Sequence, residues 1–462
     1  MPILEAEVSN LVQGQNTFEV IKASGNPMYI LWYQIFYERP LQAASGKLDF
    51  YSPAGTGEAH MVLNGYQPGA LHIFDVTHYD SPLLLEGWQR TGQGAELGDL
   101  LEGAPKHYTA LHTSALLHPE IEFASPPSLR DDPRCPDMLI IYNERLQTSA
   151  GIILGLRARG IPYAPDPYVK AVGVHTVYDN FSGGRKDPIA IRNYLKFLYD
   201  TFDEGGEPVL KYVLLIGNGT YDTRDILGRD NDLVPLYMNR FYPSEKNAVE
   251  DDDFLVKLDG GSDRYADVAI GRLCALNATE ANGWAERLHT YSSGTDLGEW
   301  RNKVILVADD EFGSTYDDEF YFMHDAEDMC DEDDGEIPPF IDFKKVYLHH
   351  YPLVGTVKPA ARRDLLDSWS EGALIVNYAG HGSAYQMADE YVMLDSDVYT
   401  LTNGTRRPIM LSFSCTTGNL ESPYRRSLSQ IMCTYEGGGA IATMSAVDPT
   451  YPAPNTILNR EV

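Results

Sequence analysis

The spacing of apolar residues changes character near residue 138. Over residues 1–125, apolar and polar residues alternate in short stretches such as 31–37, and glycine or proline separates one stretch from the next. Alternation with a period of two is typical of strands that bury one face. We therefore predict a β-rich, sandwich-like N-terminal domain over residues 1–125, followed by a linker around residues 123–137.

From residue 138 onward, continuous apolar runs alternate with helical stretches. The runs include MLIIY at 138–142, KYVLLIG at 211–217, KVILVAD at 303–309 and ALIVNY at 373–378. Strands that form continuous apolar runs are buried on both faces, as in parallel sheets flanked by helices. Because the series occurs twice, we predict an α/β fold with two subdomains, residues 138–300 and 301–462.

Two predicted strands of the second series end in unusual turns. ALIVNY is followed by Gly380, His381 and Gly382, and the run at 408–411 is followed by SFSCTTG, which contains Cys415. Ligands of open α/β sheets lie at the carboxyl ends of strands, and neighbouring strands are about 5 Å apart. An imidazole beside a thiol favours the reactive thiolate. We therefore predict a Cys–His site, where the glycines leave backbone N–H groups for an oxyanion.

Each of these two residues alone has a simpler interpretation. A buried free cysteine is more often a small core residue than a nucleophile, and a lone histidine is usually structural. The presence of both at successive strand ends, in turns rich in glycine, serine and threonine, favours a catalytic site. The other cysteines are far apart and show no CxxC spacing. We therefore predict neither a disulfide framework nor a zinc ribbon.

Charge and hydrophobicity narrow the class of protein. The chain has 67 acidic and 36 basic residues and a formal net charge of −31, which argues against a nucleic-acid partner because phosphate binding needs clustered cations. No segment reaches the ~18 apolar residues of a transmembrane helix. The start, MPILEAEVSN, lacks the features of a signal peptide. The end, TYPAPNTILNREV, is typical of the middle of a loop and helix, so we expect a chain truncated at its C-terminal end.

The two turns together carry a family resemblance. VNYAGHG and SFSCTTGN resemble the histidine and cysteine motifs of the gingipain family of caspase-like cysteine peptidases. KYVLLIGNGTYDTRD and SDRYADVAIGRL resemble further segments of that family, so the resemblance extends over most of the chain. FYERPLQAASGKLDFYSP and VYDNFSGGRKDPIAIRNYLKFLYD are similar to its branch of type IX secretion signal peptidases and sortases. The resemblance implies a caspase-like arrangement of the α/β subdomains.

The resemblance also implies roles for individual residues. Cys415 would attack the scissile carbonyl, and His381 would act as acid and base. The backbone N–H groups of Gly382 and Cys415 would form the oxyanion hole. Glu311 would orient the histidine, with Asp310 as a near alternative. The simpler interpretation of this acidic stretch is a solvated loop.

The substrate preference of the family does not carry over directly. Arginine-cutting gingipains have an acidic residue near the position that Tyr321 occupies here. Asp317 or Asp318 could take its place only if the alignment contains a small gap. The resemblance therefore does not assign arginine specificity to this chain.

An acidic cluster on a predicted loop is a candidate metal site. Asp251, Asp252 and Asp253 supply the oxygen ligands that calcium prefers, and related enzymes carry structural calcium. No EF-hand spacing is present, and acidic runs arise by default in a chain with this net charge. No organic cofactor is required for the predicted chemistry.

The resemblance leads to one functional hypothesis and two alternatives. The chain would be a cysteine endopeptidase and sortase that removes C-terminal sorting domains from type IX secreted proteins and transfers the acyl product to water or a surface glycolipid. Its partners would be those substrates and other type IX secretion components, on the extracellular face of the bacterial outer membrane. The alternatives are a general secreted gingipain-like protease and a catalytically inactive surface protein that binds partners.

Overall fold

The computed structural model divides the chain into two compact units, Met1–Phe123 and Ala124–Val462. It describes residues 17–19, 34–35, 37–121, 125–204, 206–239, 248–261, 263–310, 321–330 and 340–462. The strand predicted over residues 31–37 lies mostly outside the described residues. None of the helices in the described part is long and apolar enough to cross a bilayer.

The first unit contains two antiparallel sheets. Its strands are β1 Lys47–Tyr51, β2 Gly55–Leu63, β3 Leu71–Asp75, β4 Leu83–Leu84, β5 Gln89–Thr91, β6 Gly94–Gly103 and β7 His107–His112. One sheet has the order β1-β7-β3-β4 and the other β2-β6-β5. Leu63 of one sheet and Ile73 and Tyr108 of the other belong to the same hydrophobic core. The prediction of a β-rich N-terminal region is therefore confirmed.

A first parallel sheet opens the second unit. The elements are β8 Met138–Tyr142, α1 Gln147–Arg157, β9 Val169–Gly173, α2 Val174–Phe181, α3 Pro188–Thr201, β10 Asp203–Glu204, β11 Glu207–Pro208, β12 Tyr212–Ile216, β13 Met238–Asn239, β14 Val249–Glu250, β15 Ala269–Leu273 and α4 Ala278–Ser292. The parallel strands lie in the order β15-β12-β8-β9. We call residues 124–300 the first α/β half.

A second parallel sheet follows in residues 301–462, the second α/β half. Its elements are β16 Lys303–Ala308, α5 Tyr321–Asp328, β17 Asp342–Tyr347, α6 Pro359–Glu371, β18 Ile375–Ala379, β19 Gly382–Ser383, β20 Gln386–Met387, β21 Met393–Leu394, β22 Ile409–Phe413, α7 Leu428–Thr434, β23 Ala442–Ser445 and α8 Pro452–Glu461. The parallel order is β17-β16-β18-β22-β23, and β19, β20 and β21 form a small antiparallel sheet.

Helices cover the second sheet on both faces. Ile305 of β16 packs in one core with Trp369 of α6, whereas its neighbour Leu306 packs in another core with Phe322 of α5. Successive residues of a strand point to opposite faces, so a continuous apolar run is what a sheet with two covered faces requires. The predicted α/β fold with parallel sheets between helices is confirmed.

The start of α3 shows how local sequence sets an element. The side chain of Asp187 accepts a hydrogen bond of 2.9 Å from the N–H of Ile189, and Pro188 occupies the first helical position. Aspartate at this position satisfies an otherwise unpaired helical N–H, and proline has no N–H to leave unpaired. This is the helix start that the sequence predicts.

A buried ion pair holds the first sheet to the loop after β14. Arg272 on β15 is 3% exposed, and its Nε and Nη2 donate to the two carboxylate oxygens of Asp252 at 2.6 and 2.8 Å. Nη1 donates to the carbonyl oxygen of Val234 at 2.7 Å. A buried guanidinium without its carboxylate would retain its desolvation cost with no compensating charge.

We expect Asp252→Asn to lower the free energy of unfolding by about 3 kcal/mol, because it leaves this buried cation without its counter-charge. Urea denaturation followed by circular dichroism measures the change. Asp230→Asn is the matched control, since Asp230 pairs with Arg145 at the surface, where both side chains are more than half exposed. The control should keep the wild-type midpoint. Equal shifts in the two variants would contradict the importance of the buried pair.

Candidate active site

The two candidate turns leave neighbouring strands at the same edge of the second sheet. β18 pairs in parallel with β22, and Ala379 lies in register with Phe413. His381 and Cys415 each follow these partners by two residues. The N–H of Gly380 also donates to the carbonyl oxygen of Phe413 at 3.4 Å. The structure therefore brings the two turns side by side, as the sequence predicts.

Gly382 explains why the histidine turn contains glycine. A Cβ atom at this position would lie 2.8 Å from Oγ of Ser414 and 3.1 Å from Cγ2 of Thr417. Real Cβ atoms do not approach other atoms as closely as the first of these distances. The absence of a side chain therefore allows the histidine turn to pack directly on the residue before Cys415.

The backbone of His381 is held at both of its polar groups. Its N–H donates to Oδ2 of Asp309 at 2.9 Å. Its carbonyl oxygen accepts hydrogen bonds from the hydroxyl of Tyr378 and, at 2.9 Å, from the N–H of Ala388. The imidazole is exposed and meets the ring of Phe322 edge to face, with centroids 6.0 Å apart. The turn therefore presents the imidazole from a fixed backbone.

Asp309 is the residue of this site that the sequence did not single out. It is 2% exposed, and its Oδ1 accepts the N–H of Asp310 at 3.0 Å. A Cβ at Gly380 would lie 2.3 Å from Cβ of Asp309, so this glycine permits the carboxylate to reach the histidine turn. Burial raises the pKa of Asp309 well above its usual range, and the charge of Glu390 raises it further.

A buried charge cluster lies behind the histidine turn. Carboxylate oxygens of Asp309, Asp310 and Glu390 lie within 4.8 Å of one another. Nζ of Lys358, which is 2% exposed, contacts Oδ2 of Asp310. The solvated-loop interpretation is therefore wrong for Asp309 and Asp310. Glu311 lies outside the described residues, and its orienting role stays a prediction.

Cys415 lies in a turn that is fixed from several sides. Its Sγ lies 3.4 Å from the backbone N of Thr450 and 3.5 Å from the oxygen of the same residue. The next residue, Thr416, has φ of +52°, a left-handed conformation that a β-branched residue rarely adopts. Such strain is concentrated at functional sites and persists only where the surroundings enforce it. The thiol is half-buried.

The serine and threonine residues around Cys415 form a buried hydroxyl cluster. Oγ of Ser412 lies 3.0 Å from Oγ of Ser414 and 2.9 Å from Oγ1 of Thr417. All three side chains are buried. Buried hydroxyls need hydrogen-bond partners, and here they provide them for one another. The polar composition of this turn is thus required by its internal packing.

Two of the three candidate calcium ligands have specific protein partners. Asp251 accepts from Nδ2 of Asn239 at 2.8 Å, and Asp252 is committed to Arg272. These contacts give no support to the predicted calcium site. Calcium binding itself stays a prediction.

Tyr321 begins α5, and its hydroxyl lies 3.1 Å from Oγ1 of Thr456. Asp317 and Asp318 lie outside the described residues. The departure of this chain from arginine-cutting relatives near Tyr321 therefore stays a prediction.

Comparisons with known proteins show the family and the fold of the chain. Residues 131–462 match peptidase family C25. The complex of the pro- and mature domains of RgpB from Porphyromonas gingivalis is 17% identical, with a TM-score of 0.51 over 69% of this chain and 66% of that chain. The Arg-specific cysteine proteinase gingipain R is 18% identical, with a TM-score of 0.51 over 69% and 64%. These two likenesses show a shared caspase-like gingipain fold.

A third solved structure is more distant. Dimeric latent PorU from Porphyromonas gingivalis is 19% identical, with a TM-score of 0.43 over 54% of this chain and 25% of that chain. The chain thus spans about two thirds or less of the solved chains it resembles. No curated protein sequence gives a significant match.

We expect Gly382→Ala to lower peptidase activity by about tenfold or more, because the added methyl group pushes the histidine turn away from Ser414 and small displacements of reacting groups are costly. Steady-state cleavage of a peptide substrate measures the effect. Gly271→Ala on β15 is the control, since a Cβ there meets nothing within 4 Å. Wild-type activity in Gly382→Ala would contradict the close packing of the two turns.

We expect Asp309→Asn to change how stability depends on pH. The raised pKa of Asp309 means that the folded protein binds more protons than the unfolded chain between the ordinary and the raised pKa. Wild-type stability therefore falls as pH rises through this interval. Asparagine does not titrate, so the unfolding free energy of wild type minus that of the variant should decrease with rising pH.

Urea unfolding at several pH values tests the direction in which this difference in unfolding free energy changes. Glu371→Gln provides the opposite case, because its hydrogen bond with Lys303 lowers the pKa of Glu371. For that variant the same difference should increase as pH rises through the acidic range. A difference for Asp309→Asn that also increases would contradict a buried carboxyl with a raised pKa.

Proposed function

The chain belongs to peptidase family C25 and is a cysteine-type peptidase, and we propose that His381 and Cys415 carry out its reaction. The observation that carries this proposal is the contact between their two turns at the ends of paired parallel strands. The exposed imidazole and the half-buried thiol are both within reach of a peptide from solvent.

The proposed reaction is acyl transfer through a thioester. The thiolate of Cys415 forms a bond to the scissile carbonyl carbon, and the carbonyl oxygen becomes an oxyanion that the N–H groups of Gly382 and Cys415 stabilise. The intermediate collapses, the C–N bond breaks, and the leaving amine takes a proton from the imidazolium of His381. Water or an amine then attacks the thioester carbonyl and gives a proton to the neutral imidazole of His381. The C–S bond breaks, the acyl product leaves, and the thiolate and the imidazolium are regenerated.

The substrate class is the second part of the proposal. We infer that the peptidase removes C-terminal sorting domains from proteins exported by the type IX secretion system and can transfer the new carboxyl end to a surface glycolipid. The segments FYERPLQAASGKLDFYSP and VYDNFSGGRKDPIAIRNYLKFLYD support this branch of the family. Its partners would then be its cargo and other type IX secretion components, on the outer face of the outer membrane.

A tyrosine near the place of the specificity acid fits a peptidase restricted to particular cargo. Tyr321, near the place of the acidic residue in arginine-cutting relatives, has its hydroxyl beside Thr456. A sortase does not need a pocket for one side chain if it recognises the sorting domain as a whole. Calcium at Asp251, Asp252 and Asp253 is not needed for this chemistry.

We expect Cys415→Ala and His381→Ala each to lower cleavage by about a thousandfold or more, because each removes a group that forms or transfers a bond. The test incubates the full-length protein with a secreted cargo that carries its C-terminal domain. Mass spectrometry then determines the masses of the products. Cys433→Ala, which alters a half-buried thiol on α7, should retain activity.

The products discriminate the three candidate functions. A single cut before the sorting domain supports the sortase, and a mass increment on the new carboxyl end identifies transfer. Equal degradation of unrelated proteins would indicate a general protease. Absence of cleavage by the wild type, together with no reaction of Cys415 with iodoacetamide, would indicate a binding protein.

A further inference from the structure

The segment that follows Cys415 rests on the first α/β half. Glu250 ends β14 and is 3% exposed. Its Oε1 accepts two hydrogen bonds from that segment, one of 2.9 Å from Nδ2 of Asn419 and one of 2.8 Å from the N–H of Leu420. A buried carboxylate thus binds the chain four and five residues beyond the candidate nucleophile.

Further contacts join the same two regions. They include the N–H of Tyr221 to the carbonyl oxygen of Glu421, Nδ2 of Asn231 to the carbonyl oxygen of Pro423, and Nε2 of Gln430 to Oδ1 of Asn218, each at 2.9 Å. Nη1 of Arg426 also pairs with Oε2 of Glu280 at 3.0 Å. The first α/β half supplies neither member of the proposed dyad. It nevertheless provides hydrogen-bond partners along the segment from 419 to 430.

Asn419 connects Glu250 to the strained turn. The N–H of Asn419 donates to the carbonyl oxygen of Thr416 at 3.0 Å, which closes the turn that contains the positive φ of Thr416. A left-handed β-branched residue persists only when neighbouring contacts enforce it. Hydrogen bonds to a buried carboxylate are among the strongest such contacts. These hydrogen bonds connect Glu250 with the Cys415 turn through Asn419 and Thr416.

Glu250 itself stands on a fixed base. The next residue, Asp251, donates its N–H to the carbonyl oxygen of Tyr237 at 2.9 Å. Asp252 forms the buried pair with Arg272. On the other side, Glu250 pairs with Met238 in the β13–β14 ladder. The backbone that carries the Glu250 side chain is thus held on both sides. The carboxylate can therefore fix the position of the segment that it binds.

We propose that Glu250 is a positioning residue, which fixes the conformation of the Cys415 turn from the first α/β half. The inference rests on the proposed function of Cys415 as nucleophile. Loss of the carboxylate leaves the amide of Asn419 and the N–H of Leu420 without a buried acceptor. The Cys415 turn then changes conformation, and the thiol moves away from the imidazole of His381 and from the substrate.

The first experiment compares wild type with Glu250→Ala in the full-length protein. The rate of alkylation of Cys415 by iodoacetamide, located by peptide mass, reports the thiol without needing a substrate. We expect this rate and kcat to fall by about tenfold or more, and KM to stay within about twofold, because substrate-binding surfaces elsewhere are unchanged. Unchanged alkylation and kcat would overturn the proposal.

The second experiment exchanges the two hydrogen-bonding partners. Asn419→Asp places two carboxylates against each other and should slow alkylation of Cys415 by about tenfold, because like charges in one buried site repel. Adding Glu250→Gln restores an amide opposite a carboxylate, and the double variant should recover at least about half of the wild-type rate. A double variant in which Cys415 is alkylated as slowly as in Asn419→Asp would overturn the proposal. This test remains decisive even if Glu250→Ala does not fold.

Ile153→Ala separates positioning from general loss of stability. Ile153 on α1 is fully buried in the core that includes Ile216 and Ala281, outside the loop that carries Glu250. We expect this variant to lower the unfolding midpoint, because it leaves a cavity in that core, but to leave the alkylation rate of the folded protein within about twofold of wild type. Equal slowing in Ile153→Ala and Glu250→Ala would overturn the proposal. Failure of the proposed function has a different signature, since the wild type would then cleave no peptide whatever the alkylation rates of the variants.

Discussion

The parallel pairing of β18 with β22 is the constraint on which the candidate site depends. Five residue pairs in register, from Ile375 opposite Ile409 to Ala379 opposite Phe413, bring the two strands to the same edge of the sheet. In a parallel sheet both chains continue from that edge, so whatever follows one strand lies beside whatever follows the other. The turns that contain a histidine and a cysteine distant in sequence thereby lie side by side.

The strand ends alone would leave the turns free to move, and buried polar groups restrict them. Asp309 holds the N–H of His381, and Tyr378 holds the carbonyl oxygen of the same residue. Glu250 holds the segment beyond Cys415. These carboxylates lose hydration on burial, and the hydrogen bonds they accept offset part of that cost. The two candidate residues thus follow the strands of a packed sheet, and a surrounding layer of hydrogen bonds fixes their turns, as a preorganised site requires.

Local patterns in the sequence predict the elements and the two turns but not the groups that hold them. Continuous apolar runs gave the parallel strands, Asp187 marked the start of α3, and the glycines beside His381 indicated close approach. The local sequence does not distinguish Asp309 from its acidic neighbours, because packing between distant segments determines which carboxylate binds the N–H of His381. Thr450 and Glu250 lie far from Cys415 in the sequence, so no local pattern links them. The helix that follows β9 directly was also missed, because an apolar run spans the boundary between the two elements.

The proposed reaction requires that the thiol of Cys415 and the imidazole of His381 meet beyond these strand ends. A crystal structure of the full-length protein inactivated by a peptide that alkylates cysteine measures this directly. We expect a covalent bond from Sγ of Cys415 to the inhibitor, with a ring nitrogen of His381 roughly 3–4 Å from the sulfur or from the inhibitor atom bonded to it. An inhibitor attached to another residue, or an imidazole on the opposite side of the sheet edge, would rule out this site.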